Sequence, residues 1–373
     1  MAHMAHTTFA VGTDGWFAGP TPVPPNLRWS GKAHDPACWK GRLNPSLEER
    51  YCDQKRALHP VSSFPKLGAL PPFHLHAFPL QYPPSNMEYE MAKQKKKLKL
   101  TAATADKHVL YEASVQSTEH CLDFTRRVFR RKRKRSMKIM REDFCGTAIL
   151  SCDWARSGRE HVAYGIDLDQ PTLDWSRNHH IQQLPEDAAK RVHLIKDDVL
   201  TAKTPKADAI LAFNFSFYIF KTRDELCEYF KAAWRNLAKD GILFLDIFGG
   251  PDSMASAKDK RKIKGETTPE GVPIQTFTYV WDQTKYNHIS HELLCHIHFR
   301  FKDGTRIEKA FTYDWRLWTV PELQEILTEA GFATSEVYMQ GWDDKADDTD
   351  NIFRRRKFYD DMDAWIGYIA AMK

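Results

Sequence analysis

The chain has 373 residues, 42% of them hydrophobic, enough to bury a core for one large domain with extensions or for two domains. Its longest nearly apolar run, Ala209 to Phe220, is too short to cross a bilayer as a helix, and the first residues lack the basic-then-apolar order of a secretory signal. The net charge of +5 hides a segregation: nine basic residues and no acid lie between Arg126 and Lys138, five lysines lie between Lys93 and Lys99, and the remainder is acidic overall.

Thirteen of the twenty prolines fall at or before Pro84, a density that removes backbone donors and blocks helix interiors. Residues 1–90 therefore read as an irregular or disordered extension, 91–104 as a basic linker, and 105–373 as a globular domain. Tyr111, Val115, Thr118, Leu122, Thr125 and Phe129 recur at helical spacing. Strand signals at 137–143, 161–169, 191–198 and 207–215 alternate with helices starting at Thr147 and Pro171. A further helix carries a capping box, Thr222 with Glu225, and is expected to stop at Gly241, where a buried strand to Phe248 begins. Alternation of this kind predicts an α/β fold with a mostly parallel sheet covered on both faces.

Beyond Gly250 the period changes to two. Leu293, Cys295, Ile297, Phe299 and Phe301 alternate with Glu292, Leu294, His296, His298 and Arg300, and Lys302 to Gly304 makes a hairpin turn. With Gln275–Asp282 and the returning Thr305–Trp315, this predicts an inserted three-stranded antiparallel meander at about 255–318, one face wet and one covered. A second capping-box helix (Thr319 with Glu322) ends at Gly331, and strand-like segments near 333–339 and 365–373 close the chain. Seven cysteines without a C-x-x-C pair suit a reducing compartment.

Three acids end three successive predicted strands: Glu142, Asp167 and Asp198. In an open parallel sheet, ligands bind outside the carboxyl ends of the strands near the point where strand order reverses. An acid after the second strand is placed to accept from ribose hydroxyls, and one after the third from an exocyclic amine. Gly146 permits a close turn and Thr147 opens a helix.

Here the sequence resembles the class I S-adenosylmethionine-dependent methyltransferases, of the small-molecule type. "EDFCGTA" lies over the E/D-x-G-x-G-x-G loop of that family, with Glu142 at the acidic position and Phe144 and Ala148 in place of the first and third glycines. "GIDLD" (Gly165–Asp169), "KDDVL" (Lys196–Leu200), "ADAILAFNFSFYIF" (Ala207–Phe220) and "LAKDGILFLDIF" (Leu237–Phe248) match the four following motifs in order. The resemblance implies a Rossmann-like, doubly wound, seven-stranded sheet and S-adenosylmethionine as cofactor. It also implies cofactor contacts from Glu142, Phe144, Cys145, Gly146, Thr147, Asp167, Leu168, Asp198, Val199 and Asn214. Whether Glu142 or Asp143 faces the ligand is left open by the substituted glycines.

The implied reaction is direct displacement of a methyl group onto N, O or S of a small polar metabolite, driven mainly by positioning and exclusion of water. An acceptor pocket is expected from Tyr111 and Gln116, from Asn214, Ser216 and Tyr218, and from Tyr313, Trp315, Arg316 and Trp318, with Arg316 available for a carboxylate. Against this stands a plain core role for the three aromatics and an ion pair of Arg316 with Asp314. Recruitment of RNA or protein through the basic runs is the alternative, and a solvated helix end its bland counterpart. His296 and His298 share a face without a metal-ligand partner set, so no metal is expected. Cys145 reads as loop packing, although a helix start can lower a thiol's pKa. A cytoplasmic protein is expected, or a nuclear one if the basic run is an address.

Overall fold

The computed structural model describes residues 100–264, 274–343, 348–359 and 362–373. The Pro-rich extension and the Lys93–Lys99 run lie outside them. The helical spacing from Tyr111 to Phe129 becomes two helices, α1 (Lys107–Val115) and α2 (Thr118–Arg133), because Gln116 and Ser117 leave helical backbone between them. Asp106 caps α1, its Oδ1 accepting from the His108 amide at 2.7 Å.

The alternating region folds as β1 (Ile139–Asp143), α3 (Ile149–Arg156), β2 (Val162–Asp167), α4 (Gln170–His179), α5 (Glu186–Ala189), β3 (Val192–Lys196), β4 (Ala207–Ala212), α6 (Arg223–Asn236) and β5 (Leu237–Gly249). Helix α6 has the expected capping box but ends before Gly241. Leu237 is 1% exposed and pairs with Ala207 of β4, so sheet formation takes the last residues from the helix.

Four antiparallel strands follow: β6 (Ala257–Ile263), β7 (Phe277–Tyr286), β8 (Glu292–Arg300) and β9 (Arg306–Arg316). After α7 (Val320–Glu329), which has the second capping box, come β10 (Thr334–Asp343), β11 (Asp348–Arg355) and β12 (Trp365–Met372). The larger sheet has eight strands in the order β11-β10-β12-β5-β4-β1-β2-β3, one more than expected. β1 to β5 pair in parallel, and β12, β10 and β11 add antiparallel to the β5 edge. The extra strand, β11, and the unforeseen β6 are both edge strands of polar sequence. Six of seven β6 residues are exposed, so no apolar alternation marks it.

Two buried clusters cover the two faces of this sheet. One joins α6 and α7 to β4 and β5, and reaches Leu293, Cys295 and Trp315 of the smaller sheet. The other sets Leu122, Phe124, Val128 and Phe129 of α2 against Ile242 and Phe244. A third packs Leu110 of α1 onto Phe277, Tyr279, Ile297 and Phe299.

The face of the smaller sheet expected to be wet is closed. His296 and His298 are only 5% and 6% exposed. Their polar neighbours bury them: His296 meets Thr312 at 2.9 Å, and His298 lies between Asp282 at 3.2 Å and Glu308. Among the described residues no cluster of three or more potential metal ligands has an arrangement that could hold an ion. None of the described helices is long and apolar enough to cross a membrane.

Candidate active site

Strand order reverses between β1 and β4, so the carboxyl ends of β1, β2, β3 and β4 lie along one edge of the sheet, where a ligand crevice is expected at the reversal. The turn leaving β1 shows how the sequence manages with one glycine. Phe144, Gly146 and Ala148 have φ of +59°, +51° and +53°. All three positions that would ordinarily be glycine take left-handed backbone, at a cost of roughly 1–2 kcal/mol for each side-chain-bearing residue. Packing holds them there: Cys145 and Ala148 are buried, and the Cys145 amide donates to Ile166 O at 2.9 Å. A side chain at Gly165 on β2 would come within 2.9 Å of Cys145 Sγ, so that position needs glycine for close approach. Burial pushes the Cys145 thiol well above its usual range, opposite to the effect of a helix start.

The two neighbouring acids separate cleanly. Asp143 has its whole side chain buried, ion-paired to Arg141 Nε at 2.6 Å and accepting from the Tyr229 hydroxyl at 3.1 Å. Arg141 in turn donates to the carbonyls of Ala202 and Val199. Glu142, on the opposite side of the strand, accepts from the Ser151 amide at 3.0 Å and hydroxyl at 2.5 Å through one oxygen, leaving the other free of described partners. Burial raises Glu142 to about 8 against those hydrogen bonds, with Asp167 adding a smaller push upward.

Asp167 ends β2. Its Oδ2 accepts from the Gly146 amide at 2.7 Å and its Oδ1 from the Asp169 amide at 2.9 Å. The next residue, Leu168, is 63% exposed, an apolar surface beside an acid at the crevice mouth. The Asp197 amide donates to Asp167 O at 3.2 Å, tying the third acidic turn to the second. There Asp198 is half-buried, bonded to the Leu200 amide at 2.9 Å, and Val199 is buried. Thr147 is 4% exposed and its Oγ1 has no hydrogen-bond partner.

On the β4 side the backbone is again left-handed, at Asn214 (φ +58°) and Phe215 (φ +57°). A residue absent from the sequence reading, Asp246 on β5, holds this turn. Its two oxygens accept the Asn214 and Phe215 amides at 2.7 and 2.8 Å. Burial lifts its carboxyl to about 7 against those two bonds. An acid inside an apolar strand was the available signal. Ser216 bonds to Phe213 O, and the buried Tyr218 hydroxyl lies 3.3 Å from both backbone groups of Phe248.

Helix α1 bridges the smaller sheet and α4. Its Tyr111 meets Tyr313 and packs on Phe311, while Trp175 donates to Asp106 at 2.6 Å and Glu112 bonds His180 at 2.7 Å in a buried pair. Gln116 Oε1 is buried without a partner. Tyr313 and Trp315 stack at 4.4 Å. Arg316 and Trp318 are occupied elsewhere. Arg316 donates to Lys221 O and Glu322 and lies 3.8 Å over the Trp318 ring, whose Nε1 bonds Phe220 O. Asp314, once a candidate partner of Arg316, pairs with Lys221 at 2.5 Å.

Four of the nine cations in the Arg126–Lys138 run are spent on the fold. Arg135 spans Asp208 and Asp240, Lys132 pairs with Glu336, Lys138 with Glu160, and Arg133 donates to Gly241 O. Arg130, Arg131 and Lys134 remain exposed along a groove with Arg126 and Arg127.

The raised acids set a pH dependence. Glu142 and Asp246 keep protons up to about 8 and 7, whereas the unfolded chain releases them near 4.5 and 3.8. Folding is therefore favoured most below the unfolded values, and that stability is lost as pH rises through 7 to 8. The melting temperature is expected to fall from about pH 5 to about pH 7 by roughly 3 °C per pH unit for each acid, then to about pH 8 through Glu142 alone, and Glu142→Gln to flatten the decline in scanning fluorimetry.

No family model matches the chain. It is 24% identical over 208 residues to YqeM of Bacillus subtilis strain 168, whose name assigns it provisionally to the methyltransferases, covering 52% of this chain and 72% of that one. Among solved structures it is similar to CalS10, an amino pentose methyltransferase from Micromonospora echinaspora (TM-score 0.50, 15% identity, 80% of this chain and 99% of that one). It is also similar to the CcbJ methyltransferase from Streptomyces caelestis (TM-score 0.45, 16% identity, 62% and 82%). The strand order defines a Rossmann-like fold, and the likeness to CalS10 is a likeness of that fold.

Proposed function

We propose that the protein transfers a methyl group from S-adenosylmethionine to a small polar metabolite. One observation carries this reading: Glu142, Asp167 and Asp198 stand at or just beyond the carboxyl ends of the adjacent parallel strands β1, β2 and β3, and no cation of the described residues pairs with any of them. A cationic ligand bearing an adenosyl group fits these unpaired acids and would draw Glu142 into its ionised form, whereas a phosphate-bearing dinucleotide would meet carboxylates and a turn crowded by Phe144 and Ala148. The exposed Leu168 and the unpartnered Thr147 hydroxyl suit the same occupant.

In this reading Asp167 would hold the ribose hydroxyls, Leu168 and Val199 would flank the adenine, and Asp198 would accept from its amine. Glu142 and the Phe144–Thr147 turn would face the charged end, with Asn214 near the reacting group. The cofactor, when bound, supplies a methyl group on a positively charged sulfur. The protein's part is to align the acceptor and exclude water: α1 and the smaller sheet close over the β4 turn, with Tyr111 against Tyr313. CalS10, which shares the fold, is an amino pentose methyltransferase, and this supports a small-molecule acceptor.

The test is to incubate the full chain with methyl-labelled S-adenosylmethionine and an extract of the source cells, then fractionate. Label is expected among small molecules. Label confined to RNA or protein would overturn the acceptor class.

A further inference from the structure

The acceptor side of the crevice has a composition of its own. Phe215 lies 4.8 Å from Phe248 and 6.4 Å from Trp315, edge-on in both cases. Trp315 continues to Tyr313 at 4.4 Å and to Trp281 at 6.2 Å, and Tyr313 meets Tyr111 of α1. Aromatic rings from the β4 turn, β5, β7, β9 and α1 thus form one continuous wall. Five of them, Tyr111, Phe215, Phe248, Trp281 and Tyr313, keep some exposed surface while packing against the cores beneath.

At the base of this wall sits Asp246, 7% exposed. It has no ion-pair partner among the described residues, and its two hydrogen bonds leave each oxygen a second lone pair. A carboxylate taken out of water without a countercharge is costly, and here it also holds two consecutive non-glycine residues in left-handed backbone. π-faces and a buried acid share one complement, which is a compact cation.

We infer that the acceptor is a small amine, admitted as its ammonium ion between the aromatic wall and the Asp246 carboxylate. This rests on the methyltransferase reading and narrows it. A hydroxyl or thiol acceptor would gain nothing from the ring faces. Positive charge, by contrast, sits on nitrogen in the bound ammonium and develops there again as the neutral amine takes the methyl group, where the same groups stabilise it. Asp246 also solves the amine's protonation. One N–H proton passes to a carboxylate oxygen, leaving a neutral amine with a free lone pair and a neutral carboxyl group. Burial, which lifts this acid to about 7, brings it into the range where that exchange is reversible near neutrality.

The probes are choline and its uncharged isostere 3,3-dimethylbutan-1-ol, the first standing for a methylated ammonium. Binding of each to the full chain, saturated with S-adenosylhomocysteine, is followed by tryptophan fluorescence. Choline is expected to bind at least about tenfold more tightly than the alcohol. Asp246→Asn and Trp281→Leu should each remove most of that preference. Equal affinities in the unaltered protein overturn the amine assignment and leave the methyltransferase reading standing. Failure of the same sample to bind S-adenosylhomocysteine by calorimetry overturns both.

Discussion

Asp167→Ala is expected to weaken S-adenosylmethionine binding about a hundredfold. Two hydrogen bonds from ribose to a carboxylate contribute on the order of 1.5–3 kcal/mol each, and the lower end for both already reaches that factor. The loss has a second source, because Asp167 also takes the Gly146 amide at 2.7 Å and the Asp169 amide at 2.9 Å, which set the two turns facing the ligand. Calorimetry with S-adenosylhomocysteine separates the two. Asp167→Asn keeps one acceptor oxygen for the Gly146 amide and should bind with intermediate affinity. An alanine variant binding as tightly as the unaltered protein would place the adenosyl group elsewhere.

Asp143→Ala is expected to lower the melting temperature by roughly 10 °C, through loss of about 3–5 kcal/mol. The Arg141–Asp143 pair has no exposed side-chain surface, so removing one member leaves a guanidinium in the sheet interior with only the Ala202 and Val199 carbonyls. Replacing both, as Arg141→Met with Asp143→Leu, should recover most of the stability, since two apolar side chains need no solvation. Thermal denaturation of the single and double variants decides it. The pair lies just before the Phe144–Ala148 turn, so the double variant also asks whether these charges serve only the fold.

Much of the fold was legible because its signals are local. Capping boxes at Thr222 and Thr319 mark α6 and α7 correctly, since a hydroxyl and a carboxylate three residues apart satisfy orphan amides wherever the helix ends up. The central strands β4 and β5 declare themselves through the apolar runs Ala209–Phe213 and Gly241–Leu245. By contrast β6 and β11 escaped notice, because an edge strand needs no buried face and so leaves no periodicity. The face carrying His296 and His298 reads as wet for a related reason. Polar alternation is the same whether water or the paired side chains of Asp282, Glu308 and Thr312 cover it.

The acidic turns were legible as a set, but not which of Glu142 and Asp143 belongs to the crevice. Both are acids at one strand end, and only Arg141 and Tyr229, brought in from the same strand and from α6, claim the second. Arg316 illustrates the converse. Its local context left a substrate carboxylate open, while its actual partners, Lys221 O and Glu322, come from the chain itself.

The sequence by itself determined the order of the parallel strands and of the capped helices, the acids that end three of the strands, and the positions where the first turn departs from glycine. Hydrophobic period, caps and strand-end chemistry act over a few residues and need no knowledge of the rest. Only the tertiary structure decided that Phe144 and Ala148 hold left-handed backbone without glycine, that Asp246 reaches under the Asn214–Phe215 turn, and that rings from five elements share one wall. Those outcomes depend on which residues distant in the chain are packed against one another, because strain at a turn persists only where surrounding contacts outweigh it.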